Sequence, residues 1–199
     1  MSAAKDQLPL VEPRVPVGWL GWLAAYLATS GSVWVVLWKK GSSGPWMSND
    51  DVVEEAIAHG WIDSLPRKLD AERSLLLLSP RKPGSAWSAV NKARAGRMLA
   101  LGLMAPAGLA ALERSKADGT WTKLDAVEAL EIPPDLAAAL AALPPAAETC
   151  AAVPRSVKRG ILEWILQAKT PETRAKRIAG TSREAREGRR ANQWRKPGP

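Results

Sequence analysis

Residues 15–38 carry no charged side chain, and this stretch constrains the fold more than any other. About 20 consecutive apolar residues are enough to span a bilayer as a helix. Here Thr29-Ser30-Gly31-Ser32 breaks the run in its middle. Residues 18–28 then have the length of a soluble helix, with Trp19, Leu20, Trp22, Leu23, Tyr26 and Leu27 at helical spacing. Val33–Trp38 is a β-branched and aromatic run, the pattern of a buried strand. The expectation is therefore helix, turn and strand, with no membrane span. Upstream, Asp6 and Glu12 offset Lys5 and Arg14, which makes a poor secretory leader even though Ala28-x-Ser30 resembles a cleavage site. With Cys150 as the single cysteine, the compartment expected is the cytoplasm.

Net charge is +8 over 199 residues, but it is unevenly placed. Residues 168–199 hold 10 basic and 3 acidic groups, and residues 1–167 hold 18 and 17. A uniformly polycationic protein is excluded; the pattern is a neutral body with a basic end. Apolar residues make up 46%, which suits a globular chain. One histidine, His59, and one cysteine leave no set of zinc ligands and no nucleophile triad, so neither metal nor cofactor is expected.

Turn and cap signals divide the chain. Pro9, Pro13 and Pro16 mark residues 1–14 as a flexible arm. Ser48 caps a helix whose first turn holds Asp50 and Asp51 and which stops at Gly60. Residues 61–63 read as a second strand, 66–72 as a charged turn and 73–78 as a third strand. Ser85 is expected to cap a helix over 86–101. Helices follow at 106–117, 123–130, 134–142, 145–151, 155–168 and 171–187, the last opened by Thr170-Pro171-Glu172. The fold class expected is α+β and predominantly helical. It has a small mixed or antiparallel sheet of about three short strands in the N-terminal half and an all-helical C-terminal half. The expected organisation is an α/β lobe over 15–103, a helical lobe over 104–187 packed on it as one unit, and a disordered basic tail over 188–199.

Three constellations bear on function. The first is residues 79–92, running from a strand end into a helix start. Arg81 and Lys82 precede a Pro83-Gly84 turn, Ser85 and Ser88 supply hydroxyls, Trp87 lies between them and Asn91 follows one turn on. Helix N-termini present unpaired N–H groups, so a small phosphate or carboxylate could be held there. The Gly-x4-Gly-Lys-Ser/Thr spacing of a P-loop is missing. The second is Trp61-Ile62-Asp63, whose carboxylate either positions a ligand or serves as a base. Lys39 and Lys40 are candidate additions to this anion site. The third is a row on the last helix: continued through Gly180, Lys176, Arg183, Arg186 and Arg190 fall within an arc of about 80°. Such a row suits nucleic acid, with Trp194 among Arg189, Arg190, Arg195 and Lys196 as a stacking platform.

Several blocks, taken in order, carry a family resemblance. They are Val33-Trp34-Val35 with Lys39-Lys40; Glu54-Glu55-Ala56 with Gly60-Trp61-Ile62-Asp63; and Pro80-Arg81-Lys82 with Ser85-Ala86-Trp87-Ser88 and Asn91. Then come Gly102-Leu103-Met104 with Pro106-Ala107-Gly108, Ala117-Asp118-Gly119 with Trp121, and Ala168-Lys169-Thr170 with Glu172-Thr173-Arg174 and Lys176-Arg177-Ile178. The chain resembles the YdeI/OmpD-associated family of bacteriocin-protection proteins over roughly residues 19–180. Ser64 stands where the family shows Gly, and Leu103 where it shows a polar residue. The resemblance brings no catalytic residue or cofactor. It implies a link to bacteriocin or antimicrobial-peptide tolerance. Three readings follow: a non-catalytic binder of a small anionic ligand, a nucleic-acid-associated protein using the basic C-terminus, and an enzyme on a small anion with Asp63 as base.

Overall fold

The computed structural model describes residues 5–13 and 31–192. The helix expected over 18–28 and the stacking platform at Trp194, Arg195 and Lys196 lie outside the described residues. The chain divides between Lys123 and Leu124 into two compact units. Among the described residues there are four strands in one sheet and eight helices, a mixed α+β architecture. No helix there is long and apolar enough to cross a membrane.

The first unit holds β1 (Leu10–Val11), β2 (Val33–Trp38), α1 (Asn49–Ala58), β3 (Trp61–Lys68), β4 (Arg73–Pro80), α2 (Ala89–Ala100) and α3 (Pro106–Ala117). Strand order is β1-β2-β4-β3, with β1 parallel to β2 and the other pairs antiparallel. One sheet face presents Val33, Val35, Leu37, Leu76, Leu78 and Trp61 to a core completed by Val52, Val53, Ala56 and Ile57 of α1, with Trp87, Ala95 and Leu112. The other face buries Trp34, Val36, Leu75 and Leu77 against Leu8 and Leu65. Each strand side chain points opposite to its neighbour, so a strand buried on both faces reads as an unbroken apolar run.

Three boundaries differ from the sequence reading. β1 forms within the expected arm, because Trp34 donates its backbone N–H to the Pro9 carbonyl at 2.9 Å and its indole N–H to the Lys5 carbonyl at 2.8 Å. β3 continues to Lys68 through residues expected to turn. It is an edge strand, where a proline costs no ladder bond, and an irregularity between Asp63 and Pro66 absorbs the misfit. The turn falls instead at residues 69–72. There the Asp70 carboxylate accepts from the backbone of Glu72 (2.9 Å) and Arg73 (2.7 Å). The third difference concerns Ser85. The cap of α2 is Ser88, which accepts from the Asn91 amide, because the Ser85 and Ala86 carbonyls accept from Arg81 and the Trp87 amide donates to the Thr120 carbonyl. Ser48 caps α1 as expected, in a reciprocal box with Asp51.

A close backbone approach joins α1 to α3. Ala105 donates to the Ala58 carbonyl at 3.0 Å, and a Cβ on Gly108 would lie 2.0 Å from that same oxygen. Gly60 turns the chain between α1 and β3 at φ +79°, and a Cβ there would meet the Ala107 carbonyl at 2.9 Å.

The second unit is all helical: α4 (Asp125–Glu128), α5 (Pro134–Ala141), α6 (Ala146–Ala152), α7 (Arg155–Leu166) and α8 (Pro171–Arg186). α5, α6 and α7 all pack on α8. Its core includes Leu136, Leu140, Cys150, Ile161, Leu162, Ile165 and Ile178. Residues 188–192 do not start a loose tail. Arg189 donates backbone N–H to Glu184 at 2.8 Å and Ala191 is buried, because α8 ends in a turn that folds back on its own last residues.

Gly108→Ala should therefore destabilise the protein by about 2 kcal/mol or more, since backbone has to move. Gly96→Ala, on an open face of α2 with nothing near the added Cβ, should stabilise it by about 0.5–1 kcal/mol. Denaturant unfolding of the two variants side by side reads both effects.

Candidate functional site

The end of β4 delivers Arg81 into the interior. Its backbone N–H donates to the Gly60 carbonyl at 2.9 Å, and its side chain is only 6% exposed. A buried guanidinium ordinarily needs a carboxylate. Among the described residues none is in ion-pair contact with Arg81. Its Nη1 donates to the carbonyls of Ser85 (3.2 Å) and Ala86 (3.1 Å), while Nε and Nη2 are buried with no hydrogen-bond partner. The guanidinium carbon lies 3.7 Å from the centroid of the Trp87 ring. Trp87 packs on Trp121 at 5.1 Å, and Lys92 Nζ lies 5.2 Å over Trp121. A cation thus caps each end of a tryptophan pair. Burial pushes the Arg81 pKa down to about 10; the Asp63 carboxylate opposes that shift and the Arg114 guanidinium adds to it. Arg81 is charged throughout the physiological range.

Around Arg81 is a shallow depression lined by Lys82, Ser85, Arg114, Ser115, Asp118 and Thr120 among others. Arg114 is exposed on α3 and donates to the Arg81 carbonyl at 3.3 Å. Asp118 accepts from the Thr120 hydroxyl and from its amide at 3.0 Å, with a longer contact to the Gly84 amide. Those hydrogen bonds, Thr120's foremost, hold its carboxyl below the usual aspartate range. The depression has no room for a water molecule as it stands, so an occupant requires its walls to part.

The candidates from the sequence separate into three groups. Arg81, Lys82 and Ser85 share the depression, and half-buried Asp63 stands near it on β3. Trp87, Trp61, Ser88 and Asn91 have structural work. Trp87 and Trp61 are core, Ser88 is the α2 cap, and Asn91 accepts from Arg94 at 2.8 Å. Lys39 and Lys40 lie at the opposite end of the sheet, where β2 ends beside Arg73. Lys39 Nζ donates to the Asp70 and Ala71 carbonyls, and Lys40 lies over Trp46. Their adjacency in sequence to β2 gave no sign of which sheet end they would occupy. Arg114, Ser115 and Thr120 escaped the sequence reading because nothing local marks a helix arginine as facing a loop 33 residues away. Among the described residues no group of three or more His, Cys, Asp or Glu is placed to hold a metal ion.

Two family models match. Residues 12–111 match a domain of unknown function (DUF8412), and residues 129–188 match the family described as bacteriocin-protection, YdeI or OmpD-associated. The chain belongs to the DUF8412 family and carries a YdeI/OmpD-associated module. The likeness expected over 19–180 is thus divided, with the Arg81 loop inside the DUF8412 match and the helical blocks inside the YdeI/OmpD-associated one. No curated protein and no solved structure matches the chain significantly. In the YdeI/OmpD-associated module α8 runs unbroken through Gly180, and Lys176, Arg183, Arg186 and Arg190 are all exposed.

Asp118 ties the DUF8412 loop to α3, and its depressed pKa fixes the sign of a pH effect. Its contribution is present above about pH 4 and is lost as pH falls through the folded value. Melting temperature should therefore drop less on acidification in Asp118→Ala than in the wild type, measured by thermal melts between about pH 7 and pH 3.

Proposed function

We propose that the DUF8412 unit binds a small anion, a phosphate or carboxylate, between Arg81 and Arg114, and that it does so without catalysis. The observation that carries this reading is the buried Arg81 guanidinium with two unmade hydrogen bonds and no carboxylate paired to it. Each unsatisfied buried donor costs about 1–3 kcal/mol, more for a charged group. An oxyanion bridging Nε and Nη2 supplies both acceptors and the missing charge in one bidentate contact. Arg114 adds a second cation at the rim, and Ser115 and Thr120 add hydroxyls. Asp63 keeps Arg81 charged and repels any anion bound too close to β3, so it sets orientation rather than acting as a base. In the cytoplasm such a binder would link an anionic metabolite to the envelope-stress tolerance implied by the YdeI/OmpD-associated description.

Inorganic phosphate tests this directly. At 100 times its Kd it should stabilise the folded state by about 2.7 kcal/mol. Arg114→Ala, on an exposed helix face, should fold normally and lose most of that stabilisation. Asp63→Asn should change it only modestly. If phosphate gives the same melting temperature as chloride at equal ionic strength, or if Arg114→Ala responds like the wild type, the site is wrong.

A further inference from the structure

We infer that the helical unit carries a separate site, a nucleotide-sized cleft that takes single-stranded nucleic acid. Trp164 of α7, one face of α8 and residues 190–192 line a cleft of about 470 Å³. That lies within the usual range of small-ligand pockets, roughly 300–1,000 Å³. Gly180 opens it: a Cβ built there would meet nothing within 4 Å. Gly180, Arg183, Glu184 and Glu187 fall at helical spacing on the cleft-facing side of α8.

The charges in the cleft are sorted. Glu184 and Glu187 are both bridged by Arg189, which leaves the trio one net negative charge. Arg183 and Arg190 line the same cleft, are exposed, and form no ion pair with a described residue. Lys176 lies one turn before Gly180 in the same helical row, extending the cationic line past the cleft. Trp164 is half-buried and held in place by Arg177, whose guanidinium lies 4.9 Å over the ring and donates to the Trp164 carbonyl. A fixed indole beside two exposed guanidinium groups that pair with no described carboxylate matches a ligand that offers a flat ring and a phosphate in one unit. Bases stack on the ring while the arginines displace counterions condensed on the phosphates. An acidic peptide supplies the charge without the ring, and a duplex keeps its bases stacked on each other, away from Trp164.

Fluorescence anisotropy of the full chain with a labelled oligothymidylate of about 20 nucleotides, titrated with salt, tests the assignment. A single strand loses affinity with a log–log slope of about −0.7 per neutralised phosphate. Arg183→Ala and Arg190→Ala should each make that slope shallower by about 0.7. Trp164→Leu should weaken binding about fivefold or more with the slope unchanged. Gly180→Leu fills the cleft without a backbone clash; its melting temperature should be at or above that of the wild type while its binding falls as in Trp164→Leu. The inference is overturned by absence of binding at about 25 mM salt. It is equally overturned if both Trp164→Leu and Gly180→Leu bind like the wild type, or if poly-glutamate competes as well as unlabelled oligonucleotide. A merely helix-capping role for the last-turn arginines would show as lowered melting temperatures in Arg183→Ala with no oligonucleotide bound at all. None of these results depends on the phosphate response of the first unit.

Discussion

A guanidinium stacked on an indole organises the first unit. Arg81 leaves the sheet at the end of β4, turns inward and lies against Trp87, and its Nη1 gathers the carbonyls of Ser85 and Ala86. That contact decides where the chain can go next. The Trp87 amide points to the Thr120 carbonyl, residues 85–87 cannot enter a helix, and α2 starts only at Ser88. α2 in turn is fastened to α1 through Arg94 with Asp50 and Arg97 with Glu54. The same arginine that shapes the loop keeps two donors unmet, which is why the fold and the proposed anion site share one residue.

Local signals in the sequence were legible where a short stretch decides its own conformation. Val33–Trp38 is buried whichever face it presents, and Ser48, Pro106 and Thr170 begin helices by chemistry contained within one turn. Reading failed where a distant partner outbids a local preference. Ser85 is as good a cap by residue type as Ser88, but the Thr120 carbonyl, 33 residues on, claims the Trp87 amide. Pro66 argues for a turn unless the strand lies at an edge, and edge position is a property of the whole sheet. For the site, Arg81, Lys82 and Ser85 were visible because they are contiguous. Arg114 and Thr120 come from another helix and the turn after it, and the distance of Lys39 and Lys40 from the Arg81 loop is likewise set by strand pairing rather than by adjacent residues.

The two proposed sites rest on opposite physical routes to negative charge. In the first, one guanidinium is desolvated and sequestered, so affinity comes from unmade hydrogen bonds and selectivity from shape. In the second, Arg183 on α8 and Arg190 beyond its end are exposed, so affinity would come from counterion release and fall with salt. The +8 total divides evenly between the units, +4 in residues 1–123 and +4 in residues 124–199, so net charge does not tell the two routes apart. The family matches fall on the same division, residues 12–111 covering the sequestered arginine and residues 129–188 covering most of the open row.

Leu75, Leu76, Leu77 and Leu78 bury leucine on both faces of the central strand. Sliding β4 by one residue would exchange one leucine for another on either face, so hydrophobicity scarcely distinguishes the native alignment from its neighbour. The information that fixes alignment must therefore sit at the polar ends. At one end Asp70 clamps the turn through the backbone of Glu72 and Arg73. At the other, Ser32 and Ser79 share a 2.7 Å hydroxyl contact and the Arg81 amide reaches Gly60. The middle of the sheet supplies cohesion, and a few hydrogen bonds at its margins supply the address.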